Sequence, residues 1–285
     1  MEQCCVMKKQ RAFLKWAGGK YSLIESITQY LPTGKVLVEP FVGAGSVFLN
    51  TDYDAYLLAD INPDLIALYN LLKSEPDTFI RIANSLFCEQ NNQRERYFQL
   101  RDEFNQTTDT EWRSALFLYL NRHGYNGLCR YNRKGGFNVP FGRYKKPYFP
   151  EKELWFFAEK AQKATFVCQS FMETFAMLEQ DHVVYCDPPY VPLSASASFT
   201  SYAAKGFSEN EQRHLAELAW QAASEKRIPV LISNHATDLT YDLYKHASLH
   251  ELQVKRTISR AGHSRQRVAE LIARYEPHRL ARKAG

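Results

Sequence analysis

The 285-residue chain has no apolar stretch near the roughly 20 residues that a membrane-spanning helix needs. Its amino terminus also lacks the apolar region of a signal peptide. Six cysteines are scattered along it, and no pair has the spacing of metal ligands. These absences argue against a membrane protein, a disulfide scaffold and a zinc site. We expect a soluble cytoplasmic protein with reduced thiols and no metal.

Acidic residues are missing from one long segment. Between Trp112 and Pro150 there is no Asp or Glu, whereas Lys and Arg supply eight positive charges. Without these eight charges the net charge of +5 becomes −3, so the basicity is local. Ten aromatic residues are interleaved with the cations. This pattern favours a surface that neutralises nucleic-acid phosphates, and a solvated charged face is the alternative.

The tetrapeptide Asp187-Pro188-Pro189-Tyr190 follows an apolar run, 183–186, that predicts a buried strand. In open α/β sheets, ligands bind beyond the ends of such strands. Asp187 can accept one N–H of a base amine and the Pro188 carbonyl the other, which localises the nitrogen lone pair for attack. Tyr190 can stack on a base that has left the duplex. The pattern favours methylation of a base amine, and a Pro-Pro stop after a strand is the alternative.

A glycine turn near the amino terminus is the second chemical pattern. Residues 36–39 predict a strand, and Gly43 and Gly45 follow it in a turn that leads into an apolar helix start. A second predicted strand, 56–59, ends at Asp60, whose carboxylate can accept hydrogen bonds from ribose hydroxyls. Phe48 stands where a third glycine would be required for a dinucleotide. S-adenosylmethionine, which has no phosphate, fits the turn better.

Three segments, in this order, resemble the Dam-type DNA adenine methyltransferases of the alpha class: residues 13–20, with sequence FLKWAGGK, the turn 40–45, and the tetrapeptide 187–190. The resemblance spans nearly the whole chain, from about 7 to about 275. It implies methyl transfer from S-adenosylmethionine to N6 of a flipped adenine, in GATC of double-stranded DNA, without a membrane or an obligate protein partner. It does not separate an enzyme that accompanies a restriction nuclease from one that acts alone in replication timing and mismatch repair.

Candidate site residues follow from the patterns and the resemblance together. The expected catalytic residues are Asp187, Pro188, Pro189 and Tyr190. The expected cofactor residues are Trp16, Lys20, Glu39, Pro40, Phe41, Gly43, Gly45, Asp60 and Asp187. The expected DNA contacts are Lys15, Tyr125, Asn126, Leu128, Arg130, Asn132, Pro140, Arg143, Tyr144 and Ser194.

The expected DNA contacts centre on a β-hairpin, residues 128–132 and 137–139, which turns at Gly135 and Gly136. A two-stranded ribbon fits the major groove, and an arginine fork there can pair with guanine, so Arg130 is the first choice for a base contact. By resemblance, Lys15 reads the other guanine, Leu128 and Pro140 lie near thymine methyls, and Tyr125 and Asn126 fill the space of the flipped base. Arg133 and Lys134, at the tip, are expected to contact phosphates or to face solvent.

The predicted fold is α/β, a Rossmann-like S-adenosylmethionine-dependent methyltransferase sheet with an inserted, mainly helical target-recognition domain that carries the hairpin. Residues 7–75 and 164–285 are the expected catalytic domain and 76–163 the expected DNA-binding insertion. Helices are predicted after Asn62, at 113–120 and at 209–226. Further strands are predicted at 165–168, 228–233, 249–255 and 268–275. Residues 192–206 are expected to form a mobile loop over the bound DNA and base, and a plain linker is the alternative.

Three other functions remain open at this point. A protein glutamine methyltransferase holds a similar planar amine but does not need the hairpin. A nicotinamide dehydrogenase would require the missing glycine. A catalytically silent DNA-binding regulator has no reason to keep Lys20, Asp60 and Asp187 together. Cys186 as a nucleophile and His235 as a general base are both disfavoured, since an amine target needs neither.

Overall fold

A computed structural model describes residues 9–191, 207–254 and 268–277. Its described residues contain nine α-helices and seven β-strands. They fall into two compact units. Unit 1 comprises the described parts of Met1–Ile24, Val42–Asp52 and Asp60–Cys168, and unit 2 those of Glu25–Phe41, Tyr53–Ala59 and Gln169–Gly285. In these ranges no helix combines the length and apolarity that a membrane crossing requires.

The elements are numbered in chain order. The helices are α1 (Ile24–Tyr30), α2 (Pro63–Ser74), α3 (Pro76–Ser85), α4 (Arg94–Gln106), α5 (Thr110–His123), α6 (Glu151–Lys160), α7 (Phe171–Ala176), α8 (Glu209–Ser224) and α9 (Asp238–Leu243). The strands are β1 (Val36–Glu39), β2 (Ala55–Asp60), β3 (Ala164–Cys168), β4 (His182–Cys186), β5 (Val230–His235), β6 (Ser248–Val254) and β7 (Val268–Tyr275).

Unit 2 is built on a mixed sheet. Its strands lie in the order β2-β1-β4-β5-β7-β6. Strands β2, β1, β4 and β5 are parallel neighbours, while β7 runs antiparallel to both β5 and β6. The residues that pair along β1, β4 and β5 are almost all apolar and buried, as expected for parallel strands covered on both faces. The carboxyl ends of β1, β4 and β5 therefore share one edge.

Helix α8 covers part of this sheet because its sequence provides both a cap and an apolar stripe. The Ser208 side chain accepts from the Glu211 N–H, and the Glu211 carboxylate accepts from the Ser208 N–H, which is a capping box. Leu215, Ala216 and Ala219 of α8 are buried in the core that also contains β5. Small alanine side chains let the helix pack closely on the strands.

Unit 1 contains helices α2 to α6 and strand β3. Asn62 caps α2 by accepting from the Asp64 and Leu65 N–H groups. Arg113 of α5 makes a two-bond ion pair with Asp64, at 2.6 and 3.3 Å, and the Tyr131 hydroxyl donates to the same carboxylate at 2.6 Å. These contacts tie α5, α2 and the hairpin segment together. The predicted packed helix at 113–120 is confirmed within α5.

Most predicted elements are confirmed, but two are shorter than expected. The helix expected after Ser46 is a single 3-10 turn, Phe48–Asn50. Side chains end it, because Asn50 donates to the Ser46 carbonyl and Thr51 to the Val47 carbonyl. The hairpin is one antiparallel bridge between Tyr131 and Phe137, with backbone bonds from the Asn132 N–H to the Gly136 carbonyl and from the Asn138 N–H to the Arg130 carbonyl.

The hairpin stops early for a chemical reason. Pro140 has no N–H to donate, and the Val139 carbonyl accepts from the Tyr97 hydroxyl of α4 at 3.0 Å. Pro140 cannot donate to a ladder beyond Asn138, and the Val139 carbonyl bonds α4 and not the facing segment. The predicted hairpin is therefore present as a short antiparallel pairing, and the chain reverses at Gly135, where φ is +82°.

Candidate functional site

The glycine turn of unit 1 is contacted by the side chains of Asp60, Tyr69 and Trp16. Gly43 and Gly45 have φ of +47° and +70°, values that favour glycine. The Gly43 N–H donates to Asp60 Oδ2 at 3.1 Å, and the Tyr69 hydroxyl donates to the Gly43 carbonyl at 2.5 Å. A Cβ on Gly43 would lie 2.8 Å from Trp16 Nε1. The structure thus brings together the predicted cofactor residues Trp16, Gly43 and Asp60.

Asp60 organises the backbone at the end of β2. Its second oxygen, Oδ1, accepts from the Asn62 N–H at 2.9 Å. Burial raises the pKa of the Asp60 carboxyl, and the backbone N–H bonds oppose that rise by stabilising its charged form. Lys20 is buried and donates from Nζ to the Gly18 carbonyl at 2.6 Å. Each oxygen of the Asp60 carboxylate has two lone pairs, so Asp60 can accept further hydrogen bonds.

In unit 2, the remaining predicted cofactor residues lie at the edge where parallel strands end. Glu39 is the last residue of β1 and is buried. Phe41 packs against Phe171 and Phe207, with ring centroids 5.6 Å apart in both pairs. Pro40, between Glu39 and Phe41 in the chain, is buried. Since β1 and β4 are parallel neighbours, Glu39 at the end of β1 and Asp187 just after β4 lie at the same edge of the sheet.

The tetrapeptide follows β4 directly, as predicted. Asp187 Oδ1 accepts from the Ser233 hydroxyl at 3.1 Å, and Ser233 Oγ also lies 3.0 Å from the Tyr185 hydroxyl. The Tyr190 hydroxyl donates to the Glu270 carboxylate of β7. Burial, with the nearby Asp187 charge, raises the pKa of Tyr190 well above its usual value. Tyr190 therefore stays protonated at neutral pH and keeps its ring fixed through this bond.

Side chains at the end of β5 and at the start of α8 support the tetrapeptide and Val191 after it, and sequence reasoning missed Ser233, Asn234 and Gln212. Asn234 Oδ1 accepts from the Val191 N–H at 3.0 Å, and His235 Nδ1 donates to the Val191 carbonyl at 2.8 Å. Gln212 of α8 donates from Nε2 to the Pro189 carbonyl at 2.7 Å. The polar run Ser233-Asn234-His235 at the end of an apolar strand was the available signal, because it shares its sheet edge with Asp187.

Neither disfavoured reactive residue is placed for chemistry. Cys186 is fully buried in β4, and burial raises the pKa of its thiol well above the usual value, so the nucleophilic thiolate is suppressed. His235 uses Nδ1 to hold backbone and meets the Tyr190 ring edge-on, at 4.8 Å between centroids. Both residues therefore serve the local structure.

In unit 1, Lys15 is fixed by α5. Asn121 accepts from the Lys15 N–H at 2.9 Å and donates to its carbonyl at 2.7 Å. The Lys15 ammonium lies 4.0 Å from the centroid of the Tyr144 ring. Burial lowers the pKa of Lys15, and the Arg122 charge lowers it further. A Cβ on Gly127 would lie 2.2 Å from that of Lys15, so glycine is required for this approach.

Tyr125 and Asn126 lie in an exposed turn after α5. The Tyr125 N–H donates to the Pro140 carbonyl at 2.8 Å, while 41% of the residue remains exposed. Asn126 adopts a φ of +54°, and its N–H donates to the Tyr144 hydroxyl at 3.0 Å. Arg143 is exposed with a φ of +56°. The structure therefore brings together the predicted DNA contacts Lys15, Tyr125, Asn126, Pro140 and Tyr144.

The hairpin segment carries the other predicted DNA contacts. Arg130 donates from Nε to Asn138 Oδ1 at 2.7 Å and from Nη2 to the Asn138 carbonyl at 2.9 Å, which orients its guanidinium. Asn132 accepts from the Lys134 and Gly136 N–H groups, so it shapes the tip. Leu128 is partly exposed. Ser194 lies outside the described residues, as does the predicted loop at 192–206.

Two of the eight cations in the basic segment bind groups within unit 1. Arg113 is committed to the ion pair with Asp64. Arg122 is buried and donates to the Tyr148 and Phe13 carbonyls, and burial lowers its pKa. These two guanidinium groups are therefore engaged inside unit 1, where they bind a carboxylate and backbone carbonyls. Arg133, Lys134, Arg143, Lys145 and Lys146 are exposed.

Comparisons with known proteins agree on one family. A family model described as D12 class N6 adenine-specific DNA methyltransferase matches residues 16–258. A DNA adenine methylase of Vibrio cholerae is 62% identical over 95% of this chain and 98% of its own length. Those of Serratia marcescens and Escherichia coli K12 are 60% and 58% identical, covering 94% and 95% of this chain and 100% and 97% of their own lengths.

The Gly43 contact can be tested by stability. Gly43→Ala should lower the melting temperature more than Gly135→Ala, because both substitutions strain a positive φ but only the first also places a Cβ 2.8 Å from Trp16. The strain alone costs roughly 1–2 kcal/mol. Calorimetric melting of both variants measures the difference. Equal losses would mean that Trp16 moves aside without cost.

Proposed function

Since this chain belongs to the family of D12 class N6 adenine-specific DNA methyltransferases, we propose that it takes its methyl group from S-adenosylmethionine and transfers it to adenine within GATC of duplex DNA. The chain is an adenine-specific DNA methyltransferase. The observation that carries the proposal is the fixed segment Asp187–Tyr190, whose side chains and carbonyls are tied to β5, β7 and α8.

The alternatives fit less well. A glutamine methyltransferase has no use for the exposed cations around the hairpin, and the relatives are DNA adenine methylases. A silent DNA-binding regulator would not need Asp60 tied to a glycine turn or Asp187 tied to Ser233. A nicotinamide dehydrogenase is excluded by the family. A DNA methyltransferase uses the exposed cations, Asp60 and Asp187 together.

The chemistry follows from the acceptors at the end of β4. The N6 lone pair of adenine is delocalised into the ring, so the amine is a poor nucleophile until its hydrogens are held. The Asp187 carboxylate accepts one N–H and the Pro188 carbonyl the other, which returns electron density to nitrogen and stabilises its growing positive charge. Tyr190 stacks on the base, with its ring held by Glu270. The proton can leave to water after methylation, so no strong base is required.

The residues around the glycine turn suit the donor. Asp60 supplies carboxylate oxygens for ribose hydroxyls, and Trp16 and Phe41 supply flat apolar surface. The proposed set is completed by Lys20, Glu39, Pro40, Gly43, Gly45 and Asp187. When bound, S-adenosylmethionine supplies a methyl group on an electrophilic sulfonium. The turn has two glycines and lacks the third that a dinucleotide pyrophosphate requires. These residues therefore suit a nucleoside without phosphate, such as S-adenosylmethionine.

Recognition is proposed for the Lys15 and hairpin residues. Arg130 and Lys15 read guanines, Leu128 and Pro140 contact thymine methyls, and Tyr125 with Asn126 fills the space of the flipped adenine. Asn132, Arg143, Tyr144 and Ser194 are further proposed DNA contacts. In this proposal residues 76–163 are the recognition domain, and 7–75 with 164–285 the catalytic domain. The compact units divide differently, since Asp60–Cys168 falls wholly in unit 1.

Removal of the Asp187 carboxylate tests the proposed function. Asp187→Ala should lower methyl transfer to DNA on the order of a hundredfold or more, because a positioned charged acceptor is lost at the reacting nitrogen. DNA affinity should persist. The matched control is Asp242→Ala, an exposed residue of α9. Tritium transfer from labelled S-adenosylmethionine measures the rate, and wild-type turnover in Asp187→Ala would remove Asp187 from the reaction.

Substitution of Asp60 tests the proposed binding of S-adenosylmethionine. Asp60→Ala should weaken S-adenosylmethionine binding by about 1.5–3 kcal/mol, the range for hydrogen bonds to a charged group. Titration calorimetry of the variant measures this loss, with the exposed Asp54→Ala as the control. Unchanged affinity in Asp60→Ala would place the ribose elsewhere.

Arg130 and Lys134 separate base reading from phosphate binding. Arg130→Ala should relax discrimination at one guanine by roughly 1–3 kcal/mol, because a bidentate contact is lost. Lys134→Ala should weaken all sequences equally and reduce the salt slope by about one unit. Methylation rates on GATC and its single-base variants across a salt series distinguish the two. Full selectivity in Arg130→Ala with lost selectivity in Lys134→Ala would move the reader to the tip.

A further inference from the structure

Helix α8 contacts the tetrapeptide through a buried side chain. Gln212 lies in the first turn of α8 and is 2% exposed. Its Nε2 donates to the Pro189 carbonyl at 2.7 Å. Pro188 and Pro189 have no N–H groups, so the backbone of these two residues can form hydrogen bonds only through its carbonyls. The Gln212 bond thus holds the Pro189 carbonyl. The neighbouring carbonyl, that of Pro188, is the one proposed to accept the amine hydrogen.

Asn234 determines which way the Gln212 amide faces. Asn234 is fully buried, and its Nδ2 donates to Gln212 Oε1 at 3.1 Å and to the Tyr244 hydroxyl at 3.0 Å. Its Oδ1 accepts from the Val191 and His235 N–H groups at 3.0 and 2.9 Å. Since backbone N–H groups can only donate, the Asn234 oxygen must face them. Its nitrogen then faces Gln212, whose own nitrogen is left for Pro189.

We propose that Gln212, oriented by Asn234, is a positioning residue for methyl transfer that fixes the direction of the Pro188 carbonyl. This inference rests on the proposed function, in which that carbonyl accepts an adenine N–H. Gln212 itself touches neither base nor donor in this account. It acts through the Pro189 peptide, and it connects the start of α8 to the reacting nitrogen.

A nearly isosteric substitution tests the inference. Gln212→Met keeps the side-chain length but cannot donate to Pro189. Its kcat should fall about tenfold or more, because misplacing a reacting group by an ångström can cost roughly a hundredfold. The KM for DNA and the affinity for S-adenosylmethionine should stay near wild type, since Gln212 touches neither of them and the carbonyl that it positions acts mainly in the transition state. Gln221→Met, in the same helix and bonded to Glu217, is the matched control.

A second variant covers the case in which Gln212→Met does not fold. Tyr244→Phe removes the hydroxyl at the far end of the network and leaves the bond between Asn234 and Gln212 in place. It should lower kcat in the same direction by a smaller factor, again without a change in KM. Melting temperatures of all variants show that the rates belong to folded protein.

The outcomes separate this inference from the proposed function. A folded Gln212→Met enzyme with wild-type kcat, or one whose loss lies wholly in KM, would overturn the positioning role. If instead wild-type protein failed to methylate adenine in DNA, the proposed function would fail, whatever Gln212 does. A loss confined to kcat in Gln212→Met, with Gln221→Met unaffected, is the result expected.

Discussion

The chain after β4 is held by hydrogen bonds from side chains on neighbouring elements. Ser233 bonds Asp187, Gln212 bonds the Pro189 carbonyl, and Asn234 and His235 bond both backbone groups of Val191. A segment with two consecutive prolines cannot be fixed by a backbone ladder, so these bonds set its geometry. Rigid acceptors are what an aromatic amine requires, because stabilisation of its developing charge depends on groups that need not reorganise.

Unit 1 meets a different constraint, since the proposed DNA contacts need exposed cations and a packed interior needs its polar groups satisfied. Helix α5 serves the interior: Arg113 is paired with Asp64, and Asn121 holds the Lys15 backbone. The hairpin tip instead exposes Arg133 and Lys134. Residues with the same charge thus have different roles, and their burial distinguishes them.

Much of the fold could be predicted from local patterns. The apolar runs at 36–39 and 183–186 and the capping residue Asn62 each mark an element that the structure contains. The 3-10 turn after Ser46 and the single-bridge hairpin were not predicted, because they depend on bonds from Asn50, Thr51 and Tyr97. The supporting roles of Gln212 and Glu270 depend on strand order, and a single sequence does not reveal such long-range pairing.

The most direct test of the central claim is the identity of the methylated nucleoside. Unmethylated duplex DNA containing GATC is incubated with the protein and S-adenosylmethionine, digested to nucleosides and analysed by mass spectrometry. The account predicts N6-methyladenine from GATC duplexes and none from duplexes in which GATC is replaced by GTTC. Methylated cytosine, or N6-methyladenine independent of GATC, would contradict the account.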